Sequence, residues 1–340
     1  MVNTPQPAPK SKNLSPQIYH NPAQKTFHIR YSKHIMTSDS AIKATMYQQT
    51  RMKTGFLSAG LLFMTFHFYG QPTYHLSDPD AVFDMPKELK EISGISLSDC
   101  GKYLMAIQDE EGILFWLDKE TGEVKKTNAF WKDGDYEDIA VTPHAVYVVK
   151  STGTLYRITH WKRKDPQVEK FSTDLEKEND VEGLAYDAAG NRLLLTCKGE
   201  ARTNPHQRDI FAFDLATEQF NPVAVYSVTT EAVKAYLESH KDIENYDKIE
   251  SNLFESDKEL GFKPSALTVH PMTGEIYLVS SPGKMLLAMD RDGTITRIVK
   301  LSKKMHPQPE GICFDSNGTM YISDEARDGE PGRVYGYFLK

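Results

Sequence analysis

Four glutamates recur along the chain at nearly constant intervals: Glu91, Glu137, Glu182 and Glu310, with Ser265 standing where a fifth would fall. The successive steps are 46, 45, 83 and 45 residues. Carboxylates brought together by such a repeat have two ways to be neutralised. A hard cation such as Ca²⁺, which takes about six to eight oxygen ligands, suits a ring of them and makes Glu91, Glu137, Glu182 and Glu310 the candidate metal ligands. Lysines close in sequence to the repeat, Lys150, Lys198 and Lys263, offer the alternative of internal ion pairs. Without either, like charges at close range raise one another's pKa. An architectural reading stands beside both, in which each glutamate accepts backbone N–H groups of the next repeat and stitches the units together.

The segments that carry these residues have one pattern. KEISGISLSDCGKYLMAIQDEEG, DYEDIAVTPHAVYVVKSTGT, DVEGLAYDAAGNRLLLTCKGEA, KPSALTVHPMTGEIYLVSSPGK and QPEGICFDSNGTMYISDEARDG each run from the anchor into an alternating apolar stretch, a Gly/Asp/Asn/Pro turn and a second apolar stretch. Further strand-like runs follow, such as ILFWLD, TLYRITHW, DIFAFDL, MLLAMD and RVYGYFL. A period near 45 with four short strands per unit predicts the blades of a β-propeller. The fold class is therefore all-β, with five blades; six would require a repeat hidden in the long interval. That interval instead holds an insertion around residues 229–254, with helical spacing at Val233, Tyr236 and Leu237. The last repeat stops one strand short, so Thr73–Met85 is predicted to pair with the final blade and close the ring.

In a blade the first strand lines the axis and the second returns, so first-strand starts and second-strand ends share one mouth of the channel. This places Asp109, Lys150, Lys198, Glu200, Lys263, Ser265, Asp324 and Glu325 beside the four glutamates as candidate ligand-binding residues.

The phrases DYEDIAV, DVEGLAYD, KPSALTVHP and QPEGICFDSNGTMYISDE resemble the SdiA-regulated (YjiK-like) β-propeller family of bacterial envelope proteins, over about residues 88–340. The resemblance implies an extracytoplasmic propeller linked to calcium, with no agreed enzymatic reaction. PEGI-type blade starts also occur in gluconolactonase-like propellers, but no Asn stands at any first-strand start here, which argues against their metal chemistry.

Location is read at Met52. Met-Lys-Thr-Gly, the apolar run Phe56–Phe68 and Tyr69-Gly70-Gln71-Pro72 make a secretory signal peptide over 52–70, too short for a comfortable transmembrane helix. Residues 1–51 read as a disordered leader and a start-site overrun, leaving 71–340 as one propeller domain in the periplasm or cell envelope, with membrane association left open. The basic leader conceals how acidic this body is: eight Lys/Arg and one Asp fall in 1–70, leaving 32 basic against 46 acidic residues beyond it. Nucleic-acid binding, which draws on Lys/Arg, is excluded. Cys100, Cys197 and Cys313 form neither a disulfide framework nor a zinc motif. The acids of Asp133-Gly-Asp135-Tyr-Glu137-Asp138 lack the twelve-residue calcium-loop pattern and read as a loop entering a strand. No GxSxG, P-loop, GxGxxG or HExxH occurs.

Three readings remain open from the sequence. The first is a monomeric envelope propeller, not an enzyme, that binds Ca²⁺ or a small polar ligand at an acidic mouth. The others are a metal-dependent lactonase or esterase and a pure scaffold for an envelope protein partner.

Overall fold

The computed structural model describes residues 72–199 and 204–340. The leader, the signal-peptide segment and Glu200 lie outside the described residues.

The chain opens with β1 (Ala81–Asp84) and then lays down blades in order. The first blade is β2 (Ile92–Leu97), β3 (Tyr103–Gln108), β4 (Ile113–Asp118) and β5 (Val124–Ala129). The second is β6 (Tyr136–Val141), β7 (Val146–Lys150), β8 (Leu155–Thr159) and β9 (Gln167–Phe171). The third is β10 (Val181–Asp187), β11 (Arg192–Cys197), β12 (Gln207–Asp214) and β13 (Gln219–Thr229). Helices α1 (Thr230–Ser239) and α2 (Tyr246–Leu253) intervene before the fourth blade, β14 (Pro264–Val269), β15 (Ile276–Ser280), β16 (Met285–Met289) and β17 (Ile295–Lys300). The fifth takes β18 (Pro309–Phe314), β19 (Met320–Asp324) and β20 (Arg333–Tyr337) from the end of the chain and β1 from its beginning. All five sheets are four-stranded antiparallel meanders, so the described residues form a five-bladed propeller and no sixth repeat hides in the insertion.

Closure follows the expected route. β1 pairs antiparallel with β20, from Ala81 opposite Gly336 to Asp84 opposite Arg333. Arg333 Nε donates to Asp84 Oδ1 at 2.7 Å and Met85 N to Gly332 O at 2.8 Å. This covers an edge that β20 would otherwise present.

The insertion is helical where its spacing predicts. Thr229 caps α1, its hydroxyl accepting from Ala232 N at 3.1 Å. Val233, Tyr236 and Leu237 of α1 and Ile249 and Leu253 of α2 are buried in one cluster with Ile295 and Ile298 of β17. The helices therefore seal apolar surface along the outer strands of the third and fourth blades, away from the first strands. Among the described residues, no helix is long and apolar enough to cross a membrane.

Each blade interface has its own apolar cluster, and large rings fill the gaps between sheets. Phe130, Tyr136 and Tyr156 meet edge to face with centroids 5.1–6.2 Å apart.

Candidate functional site: an acidic mouth set by five bulges

The first strand of every blade carries one extra residue at its start. In the third blade Val181 faces Cys197 but Gly183 faces Thr196, so Glu182 has no cross-strand partner. The same slip isolates Glu137 between Tyr136 and Asp138, Ser265 between Pro264 and Ala266, and Glu310 between Pro309 and Gly311. In the first blade it falls between Ile92 and Ile95, at Ser93. Such a bulge re-aims a side chain without ending the strand. The inner ring of the mouth is thus Ser93, Glu137, Glu182, Ser265 and Glu310.

Glu91, expected in that ring, is not in it. It lies two residues before the bulge, its side chain about one-third exposed and 3.4 Å from Lys90 Nζ. ISGI occupies the register that YEDI and PEGI occupy elsewhere, so the acid nearest in sequence is not the residue at the bulge.

The second strands supply an outer ring from the residues immediately after the bulged pairs: Asp109, Ser151, Lys198, Ser281 and Glu325. Strand alternation turns the preceding residue of each the other way. Gln108, Cys197, Ser280 and Asp324 are buried accordingly. Asp324 spends both oxygens inside its blade, on His306 Nδ1 at 2.6 Å and Gln308 N at 3.1 Å. Lys150 lies over the Tyr136 ring, 5.6 Å from its centroid. Lys263 pairs with Glu259 at 3.0 Å. Of the expected ligand residues, Asp109, Lys198, Ser265 and Glu325 occupy the two rings. Sequence reasoning missed Ser93, whose signal was the register of the neighbouring apolar residues.

Electrostatics single out one part of the mouth. Lys198 Nζ is 2.9 Å from Glu182 Oε1, with the Glu182 side chain nearly buried. Burial lifts Glu182 to about 7 even so, against the opposing pull of Lys198. Glu137 is pushed to about 9 by burial and by the Glu182 charge. Glu310 rises to about 8, again by burial first and Glu182 second, with Lys198 and a hydrogen bond from Ser281 drawing it back. Burial alone would lower Lys198, but Glu182, Glu310 and Asp180 outweigh it and hold its pKa above the ordinary value. Near neutral pH the arrangement is therefore a lysine–glutamate pair whose carboxyl titrates there, flanked by two carboxyls held further towards their protonated form.

Glu325 and Asp109 extend the same network. Burial raises Glu325, as do the nearby Asp109 and Glu91, and Asp109 is raised by burial, Glu91 and Glu110. One oxygen of Asp109 is buried without a hydrogen-bond partner. Ser265 Oγ donates to Pro309 O at 2.6 Å, so it bonds a neighbouring blade's backbone rather than a base that would activate it.

The calcium expectation meets a poor donor set. Among the described residues, no group of three or more His, Cys, Asp or Glu side chains is placed to hold a metal ion.

Below the rings the first strands approach closely. A Cβ on Gly94 would collide with Asp138 Oδ1, while one on Gly311 would lie 2.6 Å from Ser93 O and one on Gly183 3.0 Å from Leu267 N. Asp138, expected to be a loop acid, is instead buried at this level. It accepts from Ile139 N at 2.8 Å and from Leu184 N of the next blade at 2.7 Å. The architectural role weighed for the glutamates belongs to this residue one position later.

The protein-family model described as SdiA-regulated matches residues 80–328. Among solved structures, glutaminyl cyclase of Myxococcus xanthus is similar at 13% identity, with a TM-score of 0.52 over 77% of this chain and 96% of that one. A gluconolactonase of Xanthomonas campestris is similar at 12% identity, with a TM-score of 0.45 over 73% of this chain and 72% of that one. At 13% identity the likeness to the cyclase is one of fold.

Proposed function

The chain belongs to the SdiA-regulated family, and on that premise we propose that it is a binding propeller that takes a small cationic ligand at the acidic mouth. The observation that carries this is the trio Glu137, Glu182 and Glu310 sharing the single ammonium of Lys198. Burial first, and the Glu182 charge second, make ionising Glu137 and Glu310 costly. An incoming cation offsets that cost, and the protons leave as it binds. The bulges make the trio free to face a ligand, because their side chains are not committed to the strand ladder.

A location outside the cytoplasm is part of the proposal and rests on the Met52–Gly70 pattern; a native N-terminus near Gln71 is the expected finding.

Thermal melts of the exported chain with a panel of organic ammonium compounds, sugars and divalent cations test the binding reading. Stabilisation by ammonium compounds, stronger at pH 8.5 than at pH 6 and reduced in Glu182→Gln, is expected. Stabilisation by neutral sugars alone, or none from any compound, would overturn it.

A further inference from the structure

The opposite end of the channel has a different chemistry. There the first strands enclose a cavity of about 360 Å³. Its lining includes one branched apolar residue from every blade: Ile95, Ile139, Leu184, Leu267 and Ile312. Each stands two residues beyond the bulge, and each is at most 2% exposed. Two residues further along, Leu97, Val141, Tyr186, Val269 and Phe314 continue the lining in the same register. A fivefold apolar pattern is what one strand position produces when it repeats around an axis. The acidic mouth owes its form to the same rule at a different position.

The polar groups at this end are largely spent. Ser96 Oγ accepts from Val141 N at 3.2 Å, and Asp99 is bound to Lys162 Nζ at 2.6 Å. The lining therefore offers no unpaired charge among its described residues. The volume lies within the roughly 300–1,000 Å³ range of small-molecule sites, which are mostly apolar with a few polar groups. An apolar group that displaces poorly ordered water from the apolar part of this space gains affinity.

We propose that this cavity is a second binding site, for a neutral, compact, largely apolar small molecule. The close approach of Gly94, Asp138 and Gly183 to their neighbouring strands lies between the two ends. The site is therefore independent of the acidic mouth, and so is this inference.

The test uses N-phenyl-1-naphthylamine, a neutral probe whose emission rises on leaving water, titrated into the full chain. Saturable binding of one probe per chain is expected. Val269→Trp, which fills the cavity from a half-buried wall position, should reduce it at least tenfold, and Glu182→Gln should leave it unchanged. Val141→Phe serves as a second filling variant should Val269→Trp fail to fold, which its melt will show. Absence of saturable binding, unaltered binding in folded filling variants, or loss of binding in Glu182→Gln would each overturn the proposal.

Discussion

Lys198 Nζ bonds Glu182 Oε1 across 2.9 Å from the residue after a second strand to the bulge of the first strand in the same blade. Burial raises Glu137 and Glu310 most, and this pair adjusts them further, since Glu182 raises both while Lys198 lowers both.

Lys198→Met removes the ammonium and leaves three buried carboxyls to one another. Breaking a fully buried pair costs about 3–5 kcal/mol. The Lys198 side chain keeps 28% exposure and Glu182 can take a proton, so a loss of about 2 kcal/mol at pH 8 is the expectation. The loss should shrink towards pH 5, where protonated acids need no partner. Denaturant unfolding at both pH values measures it, and an equal loss at each would contradict the charge assignment.

The pH dependence of the fold follows from the same three acids. Each is raised in the folded chain above the 4.5 usual for Glu. Between about 4.5 and 9 the folded chain therefore binds more protons than the unfolded one, and stability falls as pH rises. This contribution is fully present below about 4.5 and is lost as pH passes through about 7, 8 and 9 in turn. Glu137→Gln should flatten the upper part of the curve. Melting temperatures from pH 5 to 9.5 for wild type and variant show whether it does.

Calcium at pH 7 should leave the melting temperature unchanged, since among the described residues no group of three or more His, Cys, Asp or Glu side chains is placed to hold a metal ion. A specific site at a hundredfold excess over its dissociation constant would add about 2.7 kcal/mol. A stabilisation of that size, abolished by chelator, would show that the mouth rearranges around the ion.

Asp138→Asn tests the stitch between the second and third blades. Both carboxylate oxygens accept backbone N–H groups, and an amide can replace only one of them. The other N–H then faces a donor, at a cost of about 1–3 kcal/mol. Glu182→Gln, at a bulge, should cost less in the same unfolding experiment. The reverse order would assign the stitching role to the glutamate.

The propeller was legible in the sequence because its unit repeats: five apolar pairs, five turns and one interval too long by a helical insertion leave few other folds. Glu137, Glu182, Ser265 and Glu310 were legible for the same reason. Ser93 was not, since a serine two residues from a glutamate carries no signal until the bulge is seen. Asp324 was misplaced because strand alternation, not sequence proximity, decides which of two adjacent acids faces the axis. Asp138 read as one of several loop acids, and only the approach of Leu184 N from the next blade gives it a role. The apolar end was invisible as a site: Ile95, Ile139, Leu184, Leu267 and Ile312 look like any core residues until the ring places them about one axis.

The extra residue in each first strand separates two duties that most strand positions combine. Ladder residues must satisfy their partners, so changing them alters the frame. Glu137, Glu182 and Glu310 stand outside the ladder, and substitution there leaves the cross-strand pairing untouched. The mouth is in effect a short alphabet written on a fixed page: its letters can be exchanged one at a time without redrawing the frame.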